Sequence, residues 1–375
     1  MADQDAIVTA LNVIGEALSL EPDDFQDHET WKFLGLGELL ASATAKDLTN
    51  ALEFPVEADD FLRYPNVGAF KKFVAAGGEP ADLENGIPKI EISSPRSPLE
   101  TAEPADPWDG VPKPKVPLSV VLQGKPSNTG RTVFLLPDGS GAGTSYGTLP
   151  PIGDDVCLIG LNSPFLRQAQ DFTCSIERMA RLWLSEIRKL QPKGSYILGG
   201  WSAGGYYSYE ITKLLVAAGE KVERLILIDS PCRLVYEALP AQVVDELTTN
   251  GLMGASGAKR APEWLVQHFT STVLSVDKYM PTPLAAPDVP ANVDFIWVRE
   301  GLVKDVATSG LKVDLGVKVT RFLLEPRGML KTEGWEKLLP GTKYGFDYMT
   351  GNHFQITQTP HVETLGKALR KILIV

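Results

Sequence analysis

The stretch that decides the fold is Gly200-Trp201-Ser202-Ala203-Gly204, which fits the pattern G-x-S-x-G. The pattern alone is weak in a chain with 34 glycines. Its context strengthens it, because a β-type run, Tyr196-Ile197-Leu198, precedes it and a helical stretch from Gly205 to Ala218 follows. We therefore predict that Ser202 lies on a tight strand-to-helix turn, where small residues at positions 200 and 204 allow close approach of neighbouring backbone.

Further apolar runs of β type lie on both sides of this turn and alternate with helical stretches. They are Thr132–Leu136, Val156–Ile159, Leu225–Ile228 and Val293–Val298, with another helix predicted over Ser175–Leu190. Apolar strands that alternate with amphipathic helices indicate a mostly parallel sheet covered on both faces. The fold class predicted for this part of the chain is α/β.

A serine hydroxyl becomes a good nucleophile only when a base takes its proton, and on such a turn the partners follow in the order Ser, Asp, His. Asp229 ends the run Leu225–Ile228, at the sheet edge where ligand sites of open α/β sheets lie. His353 lies in a loop after the last strand-like run, which suits a general base. We predict Ser202, Asp229 and His353 as a catalytic triad; the alternative for Asp229 is a strand-end residue that caps a turn.

The other three histidines fit the role of base less well. His28 precedes the serine, His268 falls in a helical stretch, and His361 lies just inside a C-terminal helix with Thr359 as N-cap and Pro360 at its first position. We expect His268 and His361 to be partly buried side chains of the surface layer. His361 is the second candidate for the base.

An oxyanion formed at Ser202 needs hydrogen-bond donors. One is expected to be the backbone N–H of Ala203, and another should come from the loop after the first main strand, Pro137-Asp138-Gly139-Ser140-Gly141. The candidates in this loop are Gly139 and Ser140. Asp138 could be a competing acid, but turn chemistry explains it equally well.

The first part of the chain has a different pattern. Ile7, Leu11, Ile14 and Leu18 recur at helical spacing, and similar spacing continues to about Val74. Residues 80–126 then hold ten of the 28 prolines, which is typical of a semi-rigid linker. We predict a helical bundle over 1–77, a proline-rich linker over 78–115 and a second domain over 116–375.

Charge is distributed unevenly between these parts. Residues 1–85 hold 17 acidic and 5 basic side chains, whereas the other 290 residues hold 30 and 31, so the net charge of −11 arises wholly in the first segment. No nucleic-acid partner is expected because there is no general basic field. The first residues, Met1–Asp5, lack the basic flank and apolar run typical of a signal peptide, and no window of about 18 apolar residues occurs, so we expect a cytoplasmic protein without a membrane partner. Three cysteines without motif spacing predict no metal site.

Four separated motifs, in order, resemble the thioesterase domain (product-release, Claisen-cyclase-type) of fungal non-reducing polyketide synthases. They are Phe134–Gly141, Gly199–Gly205, Leu227–Pro231 and Asn352-His353-Phe354, with spacings of 27 from Ser202 to Asp229 and 151 from Ser202 to His353. The resemblance runs from about Leu118 to the C-terminus. It implies an α/β-hydrolase fold without cofactor, and a helical lid over about 233–290. By the same analogy Tyr279 and Trp335 line the site.

The N-terminal bundle resembles the acyl carrier domain that precedes such a thioesterase. The carrier pattern L-G-x-D-S-L is represented by Leu34-Gly35-Leu36-Gly37-Glu38-Leu39, and F-x-x-x-P-T-V by Phe61–Val67. The carrier attaches phosphopantetheine through the serine oxygen of this pattern, and Glu38 at that position has none. We therefore expect a pseudo acyl carrier domain that holds no thioester.

The leading hypothesis is a stand-alone, trans-acting serine hydrolase that cleaves an ester or thioester of an aromatic polyketide, with depside (aryl ester) hydrolysis a strong candidate. Its acyl group would come from a free ester or from a polyketide synthase carrier domain in trans. One alternative is cyclising, Claisen-type release, which uses the same triad. Another is a non-catalytic docking or regulatory protein. The acidic bundle could dock on a partner synthase or near Lys259-Arg260, or be an inherited remnant.

Overall fold

The computed structural model describes residues 2–18, 22, 25, 27, 31, 34, 36, 38–52, 54–64, 66–78, 106–126, 130–253 and 262–374. The chain divides into two compact units, Met1–Pro98 and Leu99–Val375, which we describe separately. The predicted domain limits near 77 and 116 remain predictions, since most of the intervening segment lies outside the described residues.

The first unit consists of helices around a small aromatic core. The helices are α1 (Ala2–Leu18), α2 (Glu38–Leu52), α3 (Asp60–Arg63) and α4 (Val67–Ala75). The Asn66 side chain caps α4 by accepting the N–H of Ala69 at 2.8 Å. Trp31 meets Phe61 and Phe70 edge to face, with ring centroids 5.4 and 5.3 Å apart. The unit therefore has its own hydrophobic core.

The second unit is built on a seven-stranded sheet in the order β1-β3-β2-β4-β5-β6-β7. Only β1 runs antiparallel, against β3, and every other pairing is parallel. The strands are β1 (Ser119–Gln123), β2 (Arg131–Leu136), β3 (Val156–Leu161), β4 (Ser195–Trp201), β5 (Lys221–Ile228), β6 (Asn292–Val298) and β7 (Lys343–Met349). The predicted α/β class is confirmed.

Helices connect the strands of the second unit, and one further helix follows the last strand. They are α5 (Ile176–Leu190), α6 (Ala203–Ala217), α7 (Ala241–Thr249), α8 (Glu263–Lys278), α9 (Val306–Ser309), α10 (Lys318–Leu324) and α11 (His361–Leu373). Parallel strands end at the same edge of a sheet, so this topology brings the ends of β2, β4 and β5 and the loop after β7 together. Helices α7 and α8 fall within the predicted lid. No helix in the described part of the chain is long and apolar enough to cross a membrane.

Residues 106–118 belong to the second unit and pack against the rest of it, although the sequence assigned most of them to the linker. The indole N–H of Trp108 donates to Ser185 Oγ at 3.0 Å, and Arg178 Nε donates to the Pro107 carbonyl at 3.1 Å. Both partners lie on α5. Proline excludes this segment from regular secondary structure without preventing its side chains from packing.

Candidate functional site

Ser202 lies at the turn between β4 and α6 in a strained backbone conformation, with φ 56° and ψ −120°. The two flanking glycines make the turn possible. A Cβ on Gly200 would lie 2.3 Å from the carbonyl carbon of Gly204, and one on Gly204 would lie 2.5 Å from the Leu136 oxygen. The turn therefore holds the Ser202 hydroxyl above the carboxyl ends of the strands.

The structure brings the three predicted triad residues together. His353 Nε2 lies 3.0 Å from Ser202 Oγ, and His353 Nδ1 lies 2.7 Å from Asp229 Oδ2. Because a carboxylate only accepts hydrogen bonds, Nδ1 carries the proton and Nε2 is free to accept that of Ser202. This is the geometry in which a histidine can activate a serine.

Gly139 and Ser140, the two candidates for an oxyanion donor, have different surroundings in the structure. Gly139 and Ala203 both line the cavity next to Ser202, and within the described residues no protein acceptor takes the N–H of either one. Ser140 instead faces Asp138, since its hydroxyl donates to Asp138 Oδ1 at 2.6 Å. Burial raises the pKa of Asp138, although the Ser140 hydrogen bonds oppose the shift. Gly139 is thus better placed than Ser140 to meet an oxyanion.

His268 is not the partly buried surface-layer side chain expected from the sequence. It is 1% exposed, on α8, and its Nδ1–H donates to the Gly139 carbonyl at 2.9 Å. Its Nε2 accepts the hydroxyl proton of Ser163 at 2.7 Å, and Thr272 donates to the same Gly139 carbonyl at 3.1 Å. Helical spacing could not show this, because the partners come from two distant loops. Helix α8 thus fixes the loop that bears the candidate oxyanion donor.

A cavity of about 60 Å³ lies beside Ser202, and its walls are mostly aliphatic and aromatic. The sequence predicted the contribution of α8 to this wall. It missed α10, whose Val319, Phe322 and Leu323 also line the cavity although they lie outside 233–290. No motif marks α10, since its residues are ordinary apolar side chains.

Several other candidates from the sequence lie elsewhere. His361 begins α11 after Pro360 as cap, and its Nδ1 lies 2.9 Å from Thr350 Oγ1. Tyr279 donates to Glu210 and Trp335 donates to the Ser230 carbonyl, and both are buried side chains absent from the cavity wall. Glu38 is the first residue of α2, but its side chain lies outside the described residues, as do His28 and Lys259-Arg260.

Arg327 is a residue near the site that the sequence did not single out. Its guanidinium pairs with Asp229 through two hydrogen bonds of 3.0 Å. Burial by itself raises the pKa of Asp229, but Arg327 and the hydrogen bond to His353 more than offset this, so that the pKa lies below its usual value. Asp229 therefore carries its negative charge in the folded protein at neutral pH.

A serine on a strand-to-helix turn of this sheet, within reach of a histidine that is held by an aspartate, defines the α/β-hydrolase class. A family model described as "Thioesterase domain" matches residues 131–373. The chain belongs to this thioesterase family, whose members are serine-hydrolase-type enzymes, and the identification made from motif resemblance is confirmed.

The relatives are fungal non-reducing polyketide synthases. The chain is 31% identical, over its whole length, to the non-reducing polyketide synthase terA of Aspergillus terreus. Over 68% of its length it is 39% identical to the non-reducing polyketide synthase Preu8 of Preussia isomera. These alignments cover 18% and 12% of the two synthases, so the chain spans less than a fifth of either one. The terA alignment includes the helical N-terminal unit, which fits a pseudo acyl carrier domain.

One solved structure supports the fold of the second unit. The RedJ thioesterase from the prodiginine biosynthetic pathway of Streptomyces coelicolor matches 67% of this chain and 92% of its own, with a TM-score of 0.50. Identity is 14%, so the likeness concerns the fold alone.

Proposed function

We propose that the second unit hydrolyses an ester or thioester of an aromatic polyketide acid through an acyl-enzyme on Ser202. The observation that carries the proposal is the hydrogen-bonded chain from Ser202 Oγ through His353 to Asp229. In the first half-reaction Ser202 Oγ attacks the carbonyl carbon while its proton passes to His353 Nε2. The N–H groups of Ala203 and Gly139 stabilise the oxyanion, and His353 then protonates the departing alcohol or thiol.

In the second half-reaction a water molecule takes the place of the leaving group. His353 accepts a proton from this water as its oxygen attacks the acyl carbon, and the proton returns to Ser202 Oγ when the tetrahedral intermediate collapses. The products are a free carboxylic acid and the regenerated serine. Asp229 remains ionised throughout and stabilises the imidazolium.

The cavity wall supports an aromatic acyl group as substrate. Tyr206, Phe269 and Phe322 line it together with aliphatic side chains, so that an aromatic ring would replace water on an apolar surface. At about 60 Å³ the cavity is smaller than the roughly 150 Å³ that holds benzene in an engineered protein core. An aromatic ring therefore fits wholly inside this cavity only if α8 or α10 moves outward, which is consistent with a lid.

The residue at position 38 supports the proposal that the acyl group is not delivered by residues 1–77 themselves. Glu38 has no hydroxyl oxygen to form the phosphodiester of a phosphopantetheine arm. The substrate is then a free ester, such as a depside, or a thioester on a carrier domain other than residues 1–77. On this proposal the enzyme acts in trans toward that carrier.

The test compares the protein with its Ser202→Ala variant on three substrates: a depside, an aryl ester and an aromatic acyl thioester of a small thiol. The matched control is Ser195→Ala, which removes an exposed serine at the opposite end of β4. We expect Ser202→Ala to lose about 10³-fold or more in kcat/KM and the control to lose none. Unchanged turnover by Ser202→Ala would refute the proposal, and no turnover of any substrate by the unaltered protein would leave the non-catalytic role.

Mass spectrometry of the products identifies the reaction. Hydrolysis gives the free acid, whereas cyclising release gives a product one water lighter, because an internal carbanion replaces water in the second step. A fluorophosphonate probe adds the second readout. We expect its adduct on Ser202 in the unaltered protein and none in Ser202→Ala, whichever substrate is preferred.

A further inference from the structure

The carboxylate of Asp229 is fully occupied by donors from three elements. Oδ1 accepts the backbone N–H of Val298 at 3.1 Å and Arg327 Nη1 at 3.0 Å. Oδ2 accepts Arg327 Nη2 at 3.0 Å and His353 Nδ1 at 2.7 Å. The guanidinium therefore bridges both oxygens, and one of them is shared with the histidine that contacts Ser202.

This pair is buried, which makes the charge of Arg327 effective. The side chains of Asp229 and Arg327 are 0% and 6% exposed. The guanidinium carbon also lies 3.9 Å from the centre of the Phe322 ring, so the cation contacts an aromatic face while its two Nη atoms bind the carboxylate. Solvent screens such a pair little, and a lysine could not reproduce its two parallel hydrogen bonds.

We propose that Arg327 is a positioning residue for the triad: its guanidinium fixes the Asp229 carboxylate toward His353 and compensates the buried negative charge of that carboxylate. This inference rests on the proposed function of Ser202, His353 and Asp229. An uncompensated buried carboxylate attracts a proton onto the Asp229–His353 pair. Arg327 neutralises that carboxylate, so the pair takes up a proton only at lower pH.

Other titratable groups face the histidine from neighbouring elements. Asp138, on the loop after β2, acts on His353 through its charge, and Glu237 lines the same cavity. Glu300 accepts the N–H of Gly351, two residues before the histidine. None of these groups touches Arg327 in the described structure, so substitution of Arg327 leaves their contacts in place.

Titratable and charged side chains also lie near Arg327. The Tyr236 hydroxyl donates to Glu333 at 2.7 Å, and burial raises the pKa of Tyr236 far above its usual value, so that it stays neutral. Arg327 also borders a cleft of about 280 Å³. Three charged side chains line this cleft with it: Lys318, Arg321 and Glu325. A small cation can therefore reach the space that a truncated Arg327 would leave.

The experiment records kcat/KM against pH for the unaltered protein, Arg327→Ala, Arg327→Lys and Arg321→Ala, on the aryl ester. For Arg327→Ala we expect the acidic limb to move to higher pH by about one unit or more, and millimolar guanidinium to move it back. For Arg327→Lys the limb stays in place because the charge is kept, but kcat/KM falls about tenfold because the fork is lost. Arg321→Ala, which lines the cleft without touching Asp229, should match the unaltered protein.

Two results would overturn the proposal. One is a folded Arg327→Ala whose activity falls equally at every pH, as a merely structural residue would give. The other is an Arg327→Lys with unchanged kcat/KM, which decides the matter even if the alanine variant does not fold. The proposed function fails separately, since it requires an inactive Ser202→Ala. If Ser202→Ala is inactive and the acidic limb of Arg327→Ala does not move, only the proposed role of Arg327 is refuted.

Discussion

Lowering the pH from 7 to 4 is expected to destabilise the second unit (Leu99–Val375), which we call the α/β unit, through one buried side chain, His268. Burial lowers the pKa of its imidazole from 6.5 to about 4, although the hydrogen bond to the Gly139 carbonyl opposes the shift. Between pH 6.5 and pH 4 the unfolded chain binds a proton on His268 that the folded protein does not. The free energy of unfolding therefore decreases as the pH is lowered. At about 1.4 kcal/mol per pH unit the loss reaches roughly 3 kcal/mol at pH 4.

The structure shows why the folded protein rejects this proton. The neutral ring donates from Nδ1 to Gly139 and accepts at Nε2 from the Ser163 hydroxyl. A proton on Nε2 would oppose the hydroxyl proton and place an unpaired charge in a 1% exposed site. The charged ring would therefore loosen the contact between α8 and the Gly139 loop.

The assay is urea unfolding at several pH values between 7 and 4, followed by tryptophan fluorescence. Six of the seven tryptophans lie in Leu99–Val375, so the signal reports mainly on that unit. His268→Asn keeps a donor near the Nδ1 position but does not titrate. We expect the stability difference between the unaltered protein and this variant to change by roughly 3 kcal/mol over the range, to the disadvantage of the unaltered protein.

Thr272→Val is the matched control. It removes the other hydrogen bond from α8 to the Gly139 carbonyl and introduces no titratable group, so its stability difference should stay constant with pH. A constant difference for His268→Asn as well would refute the reasoning, because it would show that His268 binds its proton equally in the folded and unfolded protein.

Three further predictions concern the turn, the cavity and the N-terminal unit. Gly204→Ala should destabilise the α/β unit by about 2 kcal/mol or more in urea unfolding, because its Cβ would lie 2.5 Å from a backbone oxygen, whereas Gly147→Ala, with open space around it, should be neutral. Val273→Phe should raise KM for a bulky aryl ester but not for an acetate ester, because the larger side chain fills the cavity. Leu274→Phe, at a position of α8 whose native side chain is 53% exposed, should change neither KM. Incubation with coenzyme A and a phosphopantetheinyl transferase should add no mass to the protein because Glu38 replaces the acceptor serine; a mass increase on residues 1–77 would contradict the pseudo-carrier assignment.

Local pattern was enough to predict a mostly parallel sheet, through runs that correspond to β2 to β6, and the three triad candidates. It gave no run for the antiparallel β1. Ser202, Asp229 and His353 each follow a strand-like run, and strand ends of a parallel sheet meet at one edge, so chain order implied proximity before any distance was known. The structure then places their side chains within hydrogen-bond distance. Their catalytic roles remain predictions that the Ser202→Ala experiment tests.

Arg327 and His268 could not be identified in the same way. Arg327 lies 98 residues from Asp229, and His268 lies 129 residues from Gly139, with no motif around either residue. Each looks like an ordinary polar side chain in its local sequence. Their importance comes from burial, which removes water from a charge or a ring nitrogen and makes a single partner decisive.

The sequence by itself determined the fold class, the nucleophile turn and the missing attachment serine, because each depends on residues close together in the chain. Hydrophobic periodicity, small residues at a tight turn and the absence of a hydroxyl at position 38 are local facts. Only the tertiary structure decided which loop residue faces the cavity, which helices enclose it and which cation pairs with Asp229. Those features depend on side chains that meet across long stretches of chain, where the energy of a contact is set by burial and geometry.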